Sequence, residues 1–187
     1  MLDEVRSKVL REIYTKLVSK QESVPKNPII FLRKGQNLSI SGGILLDLMQ
    51  SVLAKEADFK FRARGLSMTP FIKDGDIITI SPLSKENPST GRVVAFTRPD
   101  NGQLVVHRVI GKQGSEFLIQ GDNITGRQDE LIPLVNILGC VTKIERDGHR
   151  IFLGMGPERF LIAAMSRNGL LSKVIDRLRT FRYKSEQ

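Results

Sequence analysis

Ser67 stands in Arg64-Gly65-Leu66-Ser67-Met68-Thr69-Pro70, between an alternating run and the turn Lys73-Asp74-Gly75-Asp76. A serine at a strand end on a constrained loop suits a nucleophile, with Gly65 open to unusual backbone angles and to close approach of a substrate. Gly-x-Ser loops are common, however, and a serine bonded to its own turn is the plainer reading. Ser67 therefore needs a base. The chain has two histidines. His107 lies in Gln103-Leu104-Val105-Val106-His107-Arg108-Val109-Ile110, where alternation puts it on the face of Val105 and Val109 while Arg108 points the other way. An imidazole among apolar neighbours can be a satisfied core histidine. It is also what a base kept neutral by desolvation looks like, because burial disfavours the charged ring, whose ordinary pKa of about 6.5 is already near working pH. His149 follows Asp147-Gly148 in a hairpin turn and reads as exposed and incidental.

The third feature is the polar loop Gly121-Asp122-Asn123-Ile124-Thr125-Gly126-Arg127-Gln128-Asp129. Asp122 or Asp129 could orient His107 or stabilise its protonated form, as the third member of a hydrolytic triad does. A loop aspartate is otherwise a turn former. The chemistry implied is acyl transfer: Ser67 attacks a carbonyl, and His107 takes its proton and returns it to the leaving group. The backbone amide of Ser67 would stabilise the oxyanion. Activity is expected to rise with pH through a transition near neutrality as His107 loses its proton.

The elements that must hold these residues change character along the chain. Val5, Val9, Leu10, Ile13, Leu17 and Val18 recur at helical spacing over residues 3–19, and Leu45, Leu48, Met49, Val52 and Leu53 do so between Ile44 and Ala57. From Asp58 the period becomes two, with Phe59, Phe61 and Ala63 separated by basic residues. Further strands are predicted at 76–81, 92–97, 103–110, 115–120, 137–146 and 149–154, each bounded by Gly, Pro, Asn or Asp. After Gly156-Pro157 a basic amphipathic helical segment follows. The organisation expected is a helical region over 1–57, an antiparallel-rich β domain over 58–154 and a basic helical segment over 155–187, mainly β in class.

The 187 residues suffice for one domain with a real core. A single cysteine, Cys140, excludes an internal disulfide, and with two histidines it cannot build a structural zinc cluster, so neither metal nor cofactor is expected. Cys140 in its strand-like run reads as a small core residue. The formal charge of +9 favours anionic partners. With no convincing recognition helix, nucleic acid is not the partner expected. The charged face of the C-terminal segment would either be solvated or lie on an anionic membrane. The first residues mix charges and lack the apolar stretch of a secretory signal, and no window approaches the roughly 18 apolar residues of a spanning helix. A cytoplasmic or peripherally membrane-associated protein is expected.

Taken in order, Gly65-Leu66-Ser67-Met68-Thr69-Pro70, Asp74-Gly75-Asp76, Gly91-Arg92-Val93-Val94-Ala95-Phe96, His107-Arg108-Val109-Ile110-Gly111 and Gly121-Asp122-Asn123 resemble the successive boxes of the type I signal peptidase family, over about residues 59–145. The resemblance implies a signal-peptidase-like β fold and a serine endopeptidase, with Ser67 as nucleophile. Gly65, Met68 and Pro70 of the first box would lie against the substrate. Histidine rather than lysine before Arg-Val-Ile-Gly implies the Ser-His branch, that of the endoplasmic-reticulum type and its archaeal and Gram-positive relatives. In that branch a further aspartate completes the site. Asp129 matches it best and Asp122 remains the alternative. The substrate implied is an extended segment of a peptide or protein precursor, docked on a strand edge with small side chains at the cleaved bond.

Members that process exported proteins carry an apolar N-terminal anchor, which residues 1–57 do not supply. Maturation of a dedicated precursor is therefore expected in preference to general removal of export signals. Two other readings share the fold. One is a self-cleaving regulator like the SOS-type repressors, against which His107 in place of lysine weighs. The other is a module that binds leader peptides without cutting them.

Overall fold

In the computed structural model the described residues are 42–124, 129–175 and 177. The helix expected over residues 3–19 lies outside them. The first described element is α1 (Gly42–Leu53), which buries Met49 and Leu53 against the sheet. The strands follow as β1 (Phe59–Arg62), β2 (Ile77–Pro82), β3 (Val93–Thr97), β4 (Leu104–Gln113), β5 (Glu116–Gln120), β6 (Glu130–Ile132), β7 (Ile137–Arg146) and β8 (His149–Ile151). A short 3-10 turn, Leu134–Asn136, links β6 to β7, and α2 (Arg159–Arg167) follows the sheet.

Among the described residues all pairings are antiparallel, in the order β1-β2-β7-β3-β4-β5-β6, with β8 added to β7. This is the mainly antiparallel β fold with flanking helices that the alternation predicts. Strand boundaries agree within a few residues, except that β4 runs on to Gln113 and β8 stops at Ile151. One strand escapes the period-two reading. β6 is three residues long and ends at Pro133, too short to display an alternation of its own.

Register shifts in β2–β7, β3–β7 and β4–β5 bend the sheet. It wraps two apolar cores. One gathers Met49, Phe59, Ile78, Ile80, Val93, Ala95 and Ile144, the other Val94, Phe96, Val109, Ile119, Ile132 and Cys140. Each large side chain so buried contributes about 1.5–3 kcal/mol. Alternation along β3 sends Val93 and Ala95 into the first core, and Val94 and Phe96 into the second. A strand covered on both faces is the result, and β4 beside it shares that property.

The C-terminal helical segment docks on the β domain. Ile162 of α2, with Leu171 and Ile175 from the helical residues 170–175, closes over Phe71. Cys140 is fully buried, and burial pushes its thiol up to about 11, which fits the core role expected of it. His149 is exposed at the β7–β8 hairpin, as its turn position predicts.

Candidate active site

Ser67 follows β1 in a tight turn in which Thr69 N–H donates to Leu66 O (3.1 Å) and Ile72 N–H donates to Met68 O (3.0 Å). Gly65 adopts φ +93°, a left-handed angle that favours glycine, and its N–H donates to Asp74 Oδ1 at 2.8 Å. Asp74 belongs to the Asp-Gly-Asp turn, so that turn fixes the entry to the serine loop. From the other side, Asn123 N–H donates to Ser67 O (2.8 Å) and its side-chain Nδ2 donates to Leu66 O (2.9 Å). The Gly-Asp-Asn segment is thereby clamped onto the serine loop. Among the described residues, no group engages the N–H or Oγ of Ser67.

His107 occupies the face of β4 that its alternation predicts and is only 3% exposed. Its ring lies 6.1 Å from that of Phe96. A Cβ built on Gly121 would fall 2.8 Å from Ser67 O and 3.0 Å from His107 Nε2. Nε2, the Ser67 main chain and Ile124 Cδ1 (2.8 Å) therefore converge on one point, where residue 121 has no room for a side chain. Both residues line a cleft of about 750 Å³, together with Gly65 and Met68. Pro70, which follows a cis peptide bond, is half-buried outside that lining.

Behind the ring, Nδ1 is buried without a hydrogen-bond partner among the described residues, and a carboxylate oxygen, Glu130 Oε1, lies 3.9 Å away. Glu130 opens β6, and its carboxylate accepts 2.8 Å bonds from Nε and Nη2 of Arg98. Desolvation lowers the His107 pKa from 6.5 to about 4; Glu130 pulls it up, and Arg98 pushes it down. Burial thus moves the expected titration well below neutrality, and the ring is neutral at pH 7.

The two aspartates of the sequence reading fall elsewhere. Asp122 is fully buried, and its oxygens accept 2.8 Å bonds from Nε and Nη2 of Arg108 on the far face of β4. Burial pushes the Asp122 carboxyl up, and Arg108 holds it down. Asp129 is exposed and lines a shallow groove beside Arg98, Asp100 and Glu130, outside the cleft of Ser67 and His107. Glu130 was missed because its strand is so short. The signal that could have found it is an acidic residue opening the apolar pair Leu131-Ile132 before Pro133.

Two strand edges flank the cleft. Among the described residues, β1 pairs only with β2, and Leu104–His107 of β4 pair only with β3, because the β4–β5 ladder begins at Arg108. The lining includes Phe61, Arg62 and Ala63 from one edge and Leu104, Val105 and Val106 from the other. Unpaired backbone groups on facing edges can accept an extended peptide as an added strand. Among the described residues, no cluster of histidine, cysteine or carboxylate side chains could hold a metal ion, and no helix is long and apolar enough to cross a membrane.

Comparison with curated proteins gives no match. Comparison with protein families matches residues 18–142 to the Peptidase S24-like family. The matched span contains Ser67, His107, Asp122, Asp129 and Glu130, and it covers more than half of the 187 residues. It supports a peptidase fold of the kind the motifs resemble without singling out the signal-peptidase branch. On that match, carried by the β scaffold that brings Ser67 and His107 into one cleft, the chain belongs to the Peptidase S24-like family.

Proposed function

We propose that the protein is a serine endopeptidase of signal-peptidase-like type that cuts an extended segment of a peptide or protein precursor. The observation that carries this reading is the convergence of the Ser67 main chain and His107 Nε2 on Gly121. The substrate segment adds a strand between the β1 edge and Leu104–His107. Ser67 Oγ attacks the carbonyl of the cleaved bond, His107 Nε2 takes the hydroxyl proton, and the Ser67 N–H donates to the oxyanion. His107 then protonates the leaving amine, and water repeats the sequence on the acyl-enzyme.

Glu130 is the positioning carboxylate in this reading, in place of Asp129 or Asp122. Arg98 holds it in place, 3.9 Å from Nδ1. As substrate fills the cleft and Nδ1–H closes on Oε1, the pair stabilises the imidazolium, and the histidine becomes a stronger base than burial alone allows. Labelling by a fluorophosphonate, followed by mapping of the modified residue, tests the nucleophile. Modification of Ser67 that disappears in His107→Asn is expected. A protein that stays unlabelled, and that binds leader peptides equally well as Ser67→Ala, is a binding module instead.

A second reading is cleavage of the chain's own N-terminal part. Gly42, Gly43, Leu45 and Leu46, at the start of the described residues, line the same cleft. Cleavage in cis gives a shorter product at a rate independent of protein concentration. Cleavage in trans gives a rate that rises with it.

A further inference from the structure

We propose that a face distant in sequence from the nucleophile binds an anionic lipid bilayer. It is built by Arg150, Phe152 and Leu153 at the end of the sheet, with Arg159, Phe160 and Leu161 at the start of α2. The four apolar side chains are each more than half exposed. Arg150 lies over the Phe152 ring at 5.0 Å and Arg159 over the Phe160 ring at 4.9 Å. Phe152, Arg150 and Arg159 also line one small cleft, so the two segments form a continuous surface.

Its charge is positive. Glu145 is held by Lys60 and Lys143, Glu86 by Arg92, and Glu158 by the N–H groups of Gly154 and Gly156. Among the described residues, Arg150 and Arg159 have no carboxylate partner. Beyond α2 the pattern continues, with Leu170 and Val174 exposed beside Lys173 and Arg177.

Apolar side chains interleaved with unpaired guanidiniums fit one occupant better than its rivals. A second copy of the chain would set like charges against each other across a two-fold contact. Nucleic acid would take the guanidiniums and leave four large apolar groups in water. An anionic bilayer accepts both, with rings and leucines among the acyl chains and guanidiniums on the phosphates. This inference stands independently of whether Ser67 cuts a peptide.

Co-sedimentation of the full chain with vesicles tests it. The protein is expected to pellet with phosphatidylcholine vesicles containing phosphatidylglycerol and to stay in solution with phosphatidylcholine alone. Phe160→Ser with Leu161→Ser should weaken binding about fivefold or more, and Arg150→Gln should make it less sensitive to salt. If the serine pair lowers the thermal midpoint, Phe152→Ser outside the helix serves in its place. No pelleting, or pelleting unchanged by the serine substitutions, overturns the proposal. A dimer that the serine substitutions dissociate without any vesicle binding overturns it in favour of a second copy. Duplex DNA bound equally by parent and serine variants, with no vesicle binding, overturns it in favour of nucleic acid.

Discussion

His107 and Arg108 are neighbours on β4, both buried and both able to carry charge, yet the two faces of the strand treat them in opposite ways. Arg108 is fully buried, and every nitrogen of its guanidinium is hydrogen-bonded. It donates to both oxygens of Asp122 and to the carbonyls of Gly91 (2.7 Å) and Gly154 (2.8 Å), and lies over the Phe71 ring. Gly154, at φ +86°, leaves the room this needs, since a Cβ there would meet Phe71 at 2.8 Å. His107 keeps Nδ1 unbonded and Nε2 turned to an open cleft. Buried polar groups are nearly always paired, so an unpaired one marks either a cost or a use. The far face of β4 pairs its buried charge, whereas the near face leaves a buried ring nitrogen unbonded.

The largest effect expected on this contrast is catalytic. Ser67→Ala or His107→Asn should lower peptide hydrolysis by about 10⁶-fold, and combining them should add little, because members of one catalytic unit are not additive. Independent, multiplicative losses would break the pairing of these residues. Unfolding at pH 7 should be nearly unchanged in both variants.

On the far face, Arg108→Met strands Asp122 in the interior and is expected to cost about 3–5 kcal/mol in denaturant unfolding. Adding Asp122→Leu should recover much of that loss. Should Arg108→Met instead leave stability intact and only slow hydrolysis, the division of labour between the two faces is wrong.

Titration separates the faces further. The folded His107 value of about 4 lies below the ordinary 6.5. Between those values the unfolded chain binds more protons, so stability is full above about pH 6.5 and is lost as pH falls towards about 4. The loss amounts to at most about 3 kcal/mol. The difference in unfolding free energy between parent and His107→Asn, followed from pH 7 to pH 4, should carry this slope. A flat difference would mean that the ring is solvated. For the same reason the acid limb of any hydrolytic activity should fall below neutrality.

The smallest effect sharpens the choice of carboxylate. Glu130→Gln should reduce kcat about 10- to 100-fold and move the acid limb to lower pH, whereas Asp129→Asn should stay within about twofold. Arg98→Gln, which frees Glu130 and removes a positive charge that lowers the His107 pKa, should give an intermediate loss with the acid limb shifted to higher pH instead. The reverse order for Asp129 and Glu130 would return the third position to Asp129.

Most of the strands, and the positions of Ser67 and His107 relative to them, were legible in local patterns of the sequence. Period-two alternation is a local property of a half- or fully-buried strand, and it set most strand boundaries and the face on which His107 lies. The serine loop was legible for a similar reason, since glycine, proline and paired aspartates punctuate turns through their own backbone preferences. Alternation also sent Arg108 to the opposite face, but it could not show that this face is buried. That depends on Asp122, Gly154 and Phe71, which arrive from loops up to 46 positions away.

Which carboxylate lies near His107 depends on contacts that form only in the folded sheet. An aspartate next to the Gly-Asp-Asn turn looks equally able to face either side of β4. The sheet order settles it by setting β6 beside β5, where Glu130 pairs with Ile119, itself opposite Val109 of β4. A carboxylate's partner is fixed by contacts between strands, and a three-residue strand carries too little pattern to announce them.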